Sequence, residues 1–174
     1  MASIARAGAT TTGTEESVRI AHDLLDAFNA HDLERLEKLT SDGFLGIGPD
    51  STGLRMGRDG GRAWAAAYFR GFPDSKWTVE RIFGQDEAFV LQVIYTGTHT
   101  GPFDGAEGVP PTRKTVQVPA TFIGIARGGK IEDLRGYWDR LMVLRQLGLM
   151  PNGSESGHPP HGTPPTSVST SKQR

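Results

Sequence analysis

The chemistry-bearing part of this chain is Lys130-Ile-Glu-Asp-Leu-Arg-Gly-Tyr-Trp-Asp139, followed at once by Arg140-Leu-Met-Val-Leu-Arg-Gln-Leu-Gly148. It reads as a strand delivering one carboxylate, Asp139, to the start of a short helix beside Tyr137 and Trp138. Two roles fit that position. Asp139 suits the N-cap of the helix, where a side-chain oxygen accepts an orphan backbone N–H. It equally suits a desolvated carboxylate of raised pKa that moves a proton inside an aromatic pocket. A second titratable group, His99, ends a long apolar strand on the same face as Tyr95, either as a plain polar residue at a strand end or as a group that hydrogen-bonds an oxyanion or shares a proton. Trp64 and Tyr68 stand four residues apart, hence on one helix face, either as core or as the wall of an aromatic-ligand cavity.

These groups need elements to hold them. Val18, Ala21, Leu24, Leu25 and Phe28 recur with helical spacing over 15–29, and Thr14 is the expected N-cap. Asp32 caps a second short helix carrying Leu33, Leu36 and Leu39. Gly43-Phe-Leu-Gly-Ile-Gly48 reads as a strand that bends, and Pro49 to Gly53 as a turn. The Gly-x-Gly of Gly46 to Gly48 is too short for a phosphate-binding fingerprint, and no long crossover helix follows a parallel strand. A third helix spans about 58–70. Strands follow over 76–83, with Trp77, Val79 and Phe83 on one side, and over 88–99, with Phe89, Leu91, Val93 and Tyr95 together. The Gly- and Pro-rich stretch 101–111 is a loop of rim or lid type. The strand 115–126 carries Pro119, which suggests a bulge or an edge position. Gly128-Gly129 then folds 131–137 back upon it through a two-residue hairpin, making the Asp139 strand internal or nearly so. Helices first and hairpin-joined strands after them give an α+β class: a curved, cone-shaped, antiparallel or mixed sheet packed against N-terminal helices.

The chain has 174 residues with a formal charge of −1, enough for one domain with its own core. The expected organisation is a tail over 1–13, a folded unit over 14–150, and a Pro-, Ser-, Gly- and Thr-rich tail over 151–174. Interspersed acids and bases offer no basic stripe to nucleic acid or an anionic membrane. A hydrophobic small molecule is the expected partner. The absence of cysteine excludes thiolate sites and thiol nucleophiles. No apolar run is long enough to span a bilayer, and the first residues lack a signal-peptide core, so a cytoplasmic location is expected. His22 and His31 read as solvated residues, and His158 with His161 lack the frame and third ligand of a metal site.

Tyr95-Thr-Gly-Thr-His-Thr-Gly-Pro-Phe103, Pro111-Thr-Arg-Lys-Thr-Val116, Gly129-Lys-Ile131, Tyr137-Trp-Asp139 and Leu144-Arg-Gln-Leu-Gly-Leu149 together resemble the SnoaL-like polyketide cyclase family of the nuclear transport factor 2-like superfamily. The resemblance implies a cone-shaped α+β fold, a homodimer and no cofactor. It also implies ring closure of aromatic polyketides by intramolecular aldol condensation, with Asp139 as general acid/base. A histidine that the pattern implies on the 116–126 strand is missing, and Thr121 stands in that neighbourhood. His99 would assist, and Trp64, Tyr68, Tyr95, Tyr137 and Trp138 would form walls around the substrate. A carbon acid flanked by carbonyls is acidic enough for one base in a water-poor pocket. Two rivals stay open. One is a hydrolase such as an epoxide hydrolase, for which an Arg135–Asp133 relay beside Asp139 would be expected. The other is a ligand-binding or dimerisation module without turnover.

Overall fold

The computed structural model describes residues 11–48, 56–103 and 109–150. The expected tails over 1–10 and 151–174, the turn at Pro49–Gly53 and the middle of the 101–111 loop lie outside the described residues. In chain order the elements are α1 (Thr11–Asn29), α2 (Leu33–Leu39), β1 (Thr40–Ile47), α3 (Arg58–Gly71), β2 (Lys76–Gln85), β3 (Ala88–Thr98), β4 (Thr115–Arg127), β5 (Lys130–Trp138) and α4 (Arg140–Leu147). The five strands among the described residues form one mixed sheet in the order β1-β5-β4-β3-β2, in which β1 and β5 pair parallel and the other neighbours antiparallel. This is the expected α+β cone, open rather than closed, and the Asp139 strand is internal.

The pleat sets the two faces of the sheet. Phe89, Leu91, Val93 and Tyr95 of β3 and Val116, Val118, Ala120 and Phe122 of β4 alternate inward and are buried beneath α1, which covers them with Ile20, Leu24 and Phe28. Asn29 pins the end of that helix to the start of β2. Its amide donates to the Trp77 carbonyl at 3.0 Å, and its carbonyl accepts the Trp77 N–H at 2.7 Å. Trp77 is thereby held with its ring stacked on Phe28, 3.8 Å between centroids.

Four local readings need revision. The first helix begins at Thr11, so Thr14 lies a turn inside it, and Thr14 Oγ1 instead accepts the Asp86 N–H at 3.0 Å. His31 is not solvated: it is half-buried, its Nε2 lies 2.9 Å from the Ser75 carbonyl oxygen, and its ring stacks on Phe69. A bulge between Val79 and Arg81 breaks the alternation of β2. One extra residue reverses every later side chain, so Phe83 faces outward and is 54 % exposed. Pro119 lies inside the sheet, yet on the side of β4 that β5 has already left, because the β4–β5 ladder ends at Ala120 opposite Trp138. There Gln146 of α4 stands in for a strand, accepting the Gln117 N–H at 2.7 Å and donating to its carbonyl at 3.0 Å. A proline without an N–H fits this vacated side.

The hairpin is as expected. Gly128 and Gly129 have φ of 56° and 74°, the positive pair that a tight turn between twisted strands requires.

Candidate functional site

Between the inner face of the sheet and the helices lies an apolar cavity of about 90 Å³. Strand β5 turns Leu134, Gly136 and Trp138 toward it. Strand β1 contributes Phe44, α1 contributes Leu24 and Phe28, and α3 contributes Trp64 and Ala65. Glycine lets the largest of these rings in: a Cβ at position 136 would come within 2.6 Å of the Trp138 ring, and one at position 48 within 3.0 Å. The indole thus occupies a slot that only two side-chain-free residues leave. A second space of about 20 Å³ lies deeper, against Tyr68, Phe72, Tyr95, Val118 and Val143. Phe28, Trp64, Trp77, Phe122 and Trp138 border both. Their rings touch in series, with Trp77 to Phe122 at 4.4 Å and Trp64 to Trp138 at 5.7 Å between centroids.

The polar groups of the larger cavity gather around Glu37 on α2 and Arg58 and Arg62 on α3. Arg62 Nη1 donates to Glu37 Oε2 at 2.9 Å. Arg58 Nη2 donates to the Glu37 carbonyl oxygen at 3.4 Å and stands 3.6 Å from Glu37 Oε1. Arg58 Nη1 donates to Asp42 at 2.6 Å. Arg58 Nε is buried and has no hydrogen-bond partner among the described residues. None of these residues was singled out from the sequence. Arg58 and Arg62 are four apart and share a helix face, which is a visible signal, but their pairing with Glu37 from another helix is not.

Of the residues expected to do chemistry, Asp139 is the N-cap of α4. Its Oδ1 accepts the Met142 N–H at 3.0 Å, and the residue is exposed and borders neither cavity. The alternation of β5 explains this, since Arg135 and Tyr137 face outward while Leu134 and Trp138 face the cavity. His99 is fully buried beyond the end of β3, 5.4 Å from the Phe72 ring, and borders neither cavity. Its Nδ1 accepts the Thr112 N–H at 3.2 Å, so the proton resides on Nε2, which has no hydrogen-bond partner among the described residues. Burial pushes the pKa of His99 below its ordinary value, against a smaller pull from the Gly101 backbone.

Trp64 and Trp138 are cavity walls, and Tyr68 and Tyr95 border the deeper space. Burial raises the pKa of the Tyr95 phenol strongly, so it stays protonated. Tyr137 and Thr121 are not walls. They are cross-strand partners on the outer face, where Tyr137 is 54 % exposed. The Arg135–Asp133 pair also lies on that face, 3.0 Å apart and open to solvent, away from any cavity. No three histidine, aspartate or glutamate side chains gather as a metal site among the described residues, and no helix there is long and apolar enough to cross a membrane.

Comparison with known proteins agrees with this architecture. No curated protein sequence matches the chain. Among solved structures, a candidate SnoaL-like polyketide cyclase from Jannaschia sp. CCS1 superposes with a TM-score of 0.70 at 25 % identity, covering 80 % of this chain and 96 % of its own. IdmH, a candidate polyketide cyclase from Streptomyces antibioticus, gives 0.67 at 26 % identity, over 76 % of this chain and 98 % of its own. AclR, a candidate hydroxylase from Streptomyces galilaeus, gives 0.70 at 21 % identity over 80 % and 89 %, a likeness of fold. The SnoaL-like polyketide cyclase family profile matches residues 18–147, nearly the whole described unit, and the chain belongs to that family.

Proposed function

We propose that the chain is a cyclase-type enzyme that takes an apolar, ring-bearing, polyketide-like molecule into the aromatic cavity and closes a further ring by taking a proton from an activated methylene carbon and delivering it to the carbonyl oxygen that the new carbon–carbon bond turns into a hydroxyl. The observation that carries this reading is the cavity itself: a chamber of stacked rings with charged groups confined to one side. Such walls exclude water, which strengthens any charge interaction inside and suits enolate chemistry. Family membership supports a cyclase-type activity.

The proton carrier is a carboxylate in this reading, and two compete for the role. Glu37 already borders the cavity. Asp139, marked by the family resemblance, follows Trp138 in the chain and reaches substrate only after giving up the Met142 N–H. Turnover of a panel of polyketide methyl esters by wild type, Glu37→Gln and Asp139→Asn identifies the carrier, and product mass separates aldol closure without dehydration, which conserves mass, from hydration, which adds one water. Equal rates in all three proteins would refute carboxylate catalysis. Filling the chamber with Ala65→Leu should abolish turnover in a folded protein.

The functional unit in this proposal is a homodimer formed through the outer face of the sheet. Phe83, Ile123 and Tyr137 are 54 %, 40 % and 54 % exposed there. Phe83 and Ile123 flank Val90 in one cross-strand row, and Tyr137 sits in the neighbouring row with Thr121. Exposed apolar side chains such as these, set beside Thr121 and Arg135 on one face, give a monomer a surface for self-association about a two-fold axis.

A further inference from the structure

Arg58 is satisfied at the tip of its guanidinium and unsatisfied at Nε. Both terminal nitrogens have acceptors, Asp42 for Nη1 and Glu37 for Nη2, while Nε is buried on a residue that borders the cavity and makes no hydrogen bond among the described residues. A cationic N–H left in that condition gains when a bound molecule brings it an oxygen. We propose that the mouth of the cavity is an oxyanion subsite, and that the natural substrate has a flat apolar body ending in a carboxylate or enolate oxygen held by Arg58 Nε, with Arg62 adding charge beside it.

The charge at the mouth favours an anion over a neutral acceptor. One carboxylate, Glu37, is shared between two guanidinium groups. Asp42, the other acid, has a side chain 99 % exposed, so its pairing with Arg58 is screened by water and readily exchanged. The Arg58 side chain is 30 % exposed at the rim while Nε itself is covered, so a ligand oxygen reaches Nε as the side chain turns to meet it. The body of the ligand would lie against Phe44, Trp64 and Trp138, whose faces offer apolar area but little hydrogen bonding. An oxygen whose charge grows as the methylene loses its proton would gain most at this point, because charge-assisted hydrogen bonds exceed neutral ones in strength.

The subsite uses the chamber assigned above, and a binding experiment separates the two claims. Calorimetric titration of the full chain with 2-naphthoate and 2-naphthamide compares an anion with a neutral molecule of the same shape. Wild type should bind the naphthoate about tenfold more tightly. Arg58→Gln should reduce that preference to about twofold or less by weakening naphthoate binding more than amide binding, and Arg58→Lys should restore part of it. Equal wild-type affinities for the two probes, or a preference unchanged in Arg58→Gln, would overturn the subsite while leaving the chamber standing. Binding of neither probe would overturn both.

Discussion

Replacing Asp139 separates its two roles, because the cap and the acid/base place different demands on the side chain. As a cap, Asp139 accepts the Met142 N–H at 3.0 Å from an exposed position. Asparagine makes the same bond, so Asp139→Asn should lose only the favourable contact of a negative charge with the helix N-terminus, about 0.5 kcal/mol. Alanine cannot cap, and Asp139→Ala should cost about 1 kcal/mol, with a range of about 0.5–2. In a domain of this size that is a fall in Tm of about 2–4 °C. Helix α4 holds Val143 and Leu147 against the core and Gln146 against β4, so its loosening should register in the whole cooperative transition. Thermal unfolding followed by circular dichroism, with both variants assayed for turnover in parallel, reads the two roles at once. A pure cap gives a stability loss in alanine, near-wild-type stability in asparagine, and turnover preserved in asparagine. An alanine variant as stable as wild type would refute the capping argument. An asparagine variant that is stable but inactive would assign the proton to Asp139 after all.

Three further outcomes are expected. Gly124→Ala puts a methyl group where the Phe89 ring lies across the β3–β4 ladder, and overpacking there should lower the urea midpoint by the equivalent of about 1–3 kcal/mol; Phe89→Leu in the same chain should recover part of the loss, and full additivity of the two changes would contradict the clash. For His99, the folded pKa lies below the ordinary 6.5, so the buried neutral ring stabilises the fold fully above that pH. Stability should fall as pH drops below it, because the unfolded chain takes up a proton that the folded one refuses. The wild-type urea midpoint should therefore fall more than that of His99→Gln between about pH 7.5 and about pH 5.5, and parallel curves would show that His99 is not the group responsible. Ile123→Glu on the outer face should convert a dimer to a folded monomer in sedimentation or light scattering, whereas an unchanged mass would exclude that face.

Much of the scaffold was legible because it rests on local rules. Two adjacent glycines announced the β4–β5 turn, Asp32 announced the start of α2, and strict alternation placed Phe89 through Tyr95 on one face. The bulge in β2 is silent in the sequence because Val79-Glu-Arg81 contains nothing that marks an extra residue, and its effect on Phe83 appears only through pairing with β3. The Glu37–Arg58–Arg62 cluster was invisible for a different reason. It joins two helices through a contact spanning more than twenty positions, and each residue alone resembles a solvated surface charge. Asp139 shows the limit of reasoning from residue type: the same carboxylate satisfies a helix start and a proton-transfer site, and only its hydrogen bonding tells which bond it makes in the resting protein.

The five residues that border both internal spaces are all aromatic, and that has a bearing on which molecules fit. A ring can turn about its own torsions while every strand stays in place. The room available to a guest is therefore adjustable in steps set by the rotamers of Trp64, while Trp138 is held in its glycine-lined slot, and trimming either indole should enlarge the admissible guest without redesigning the frame.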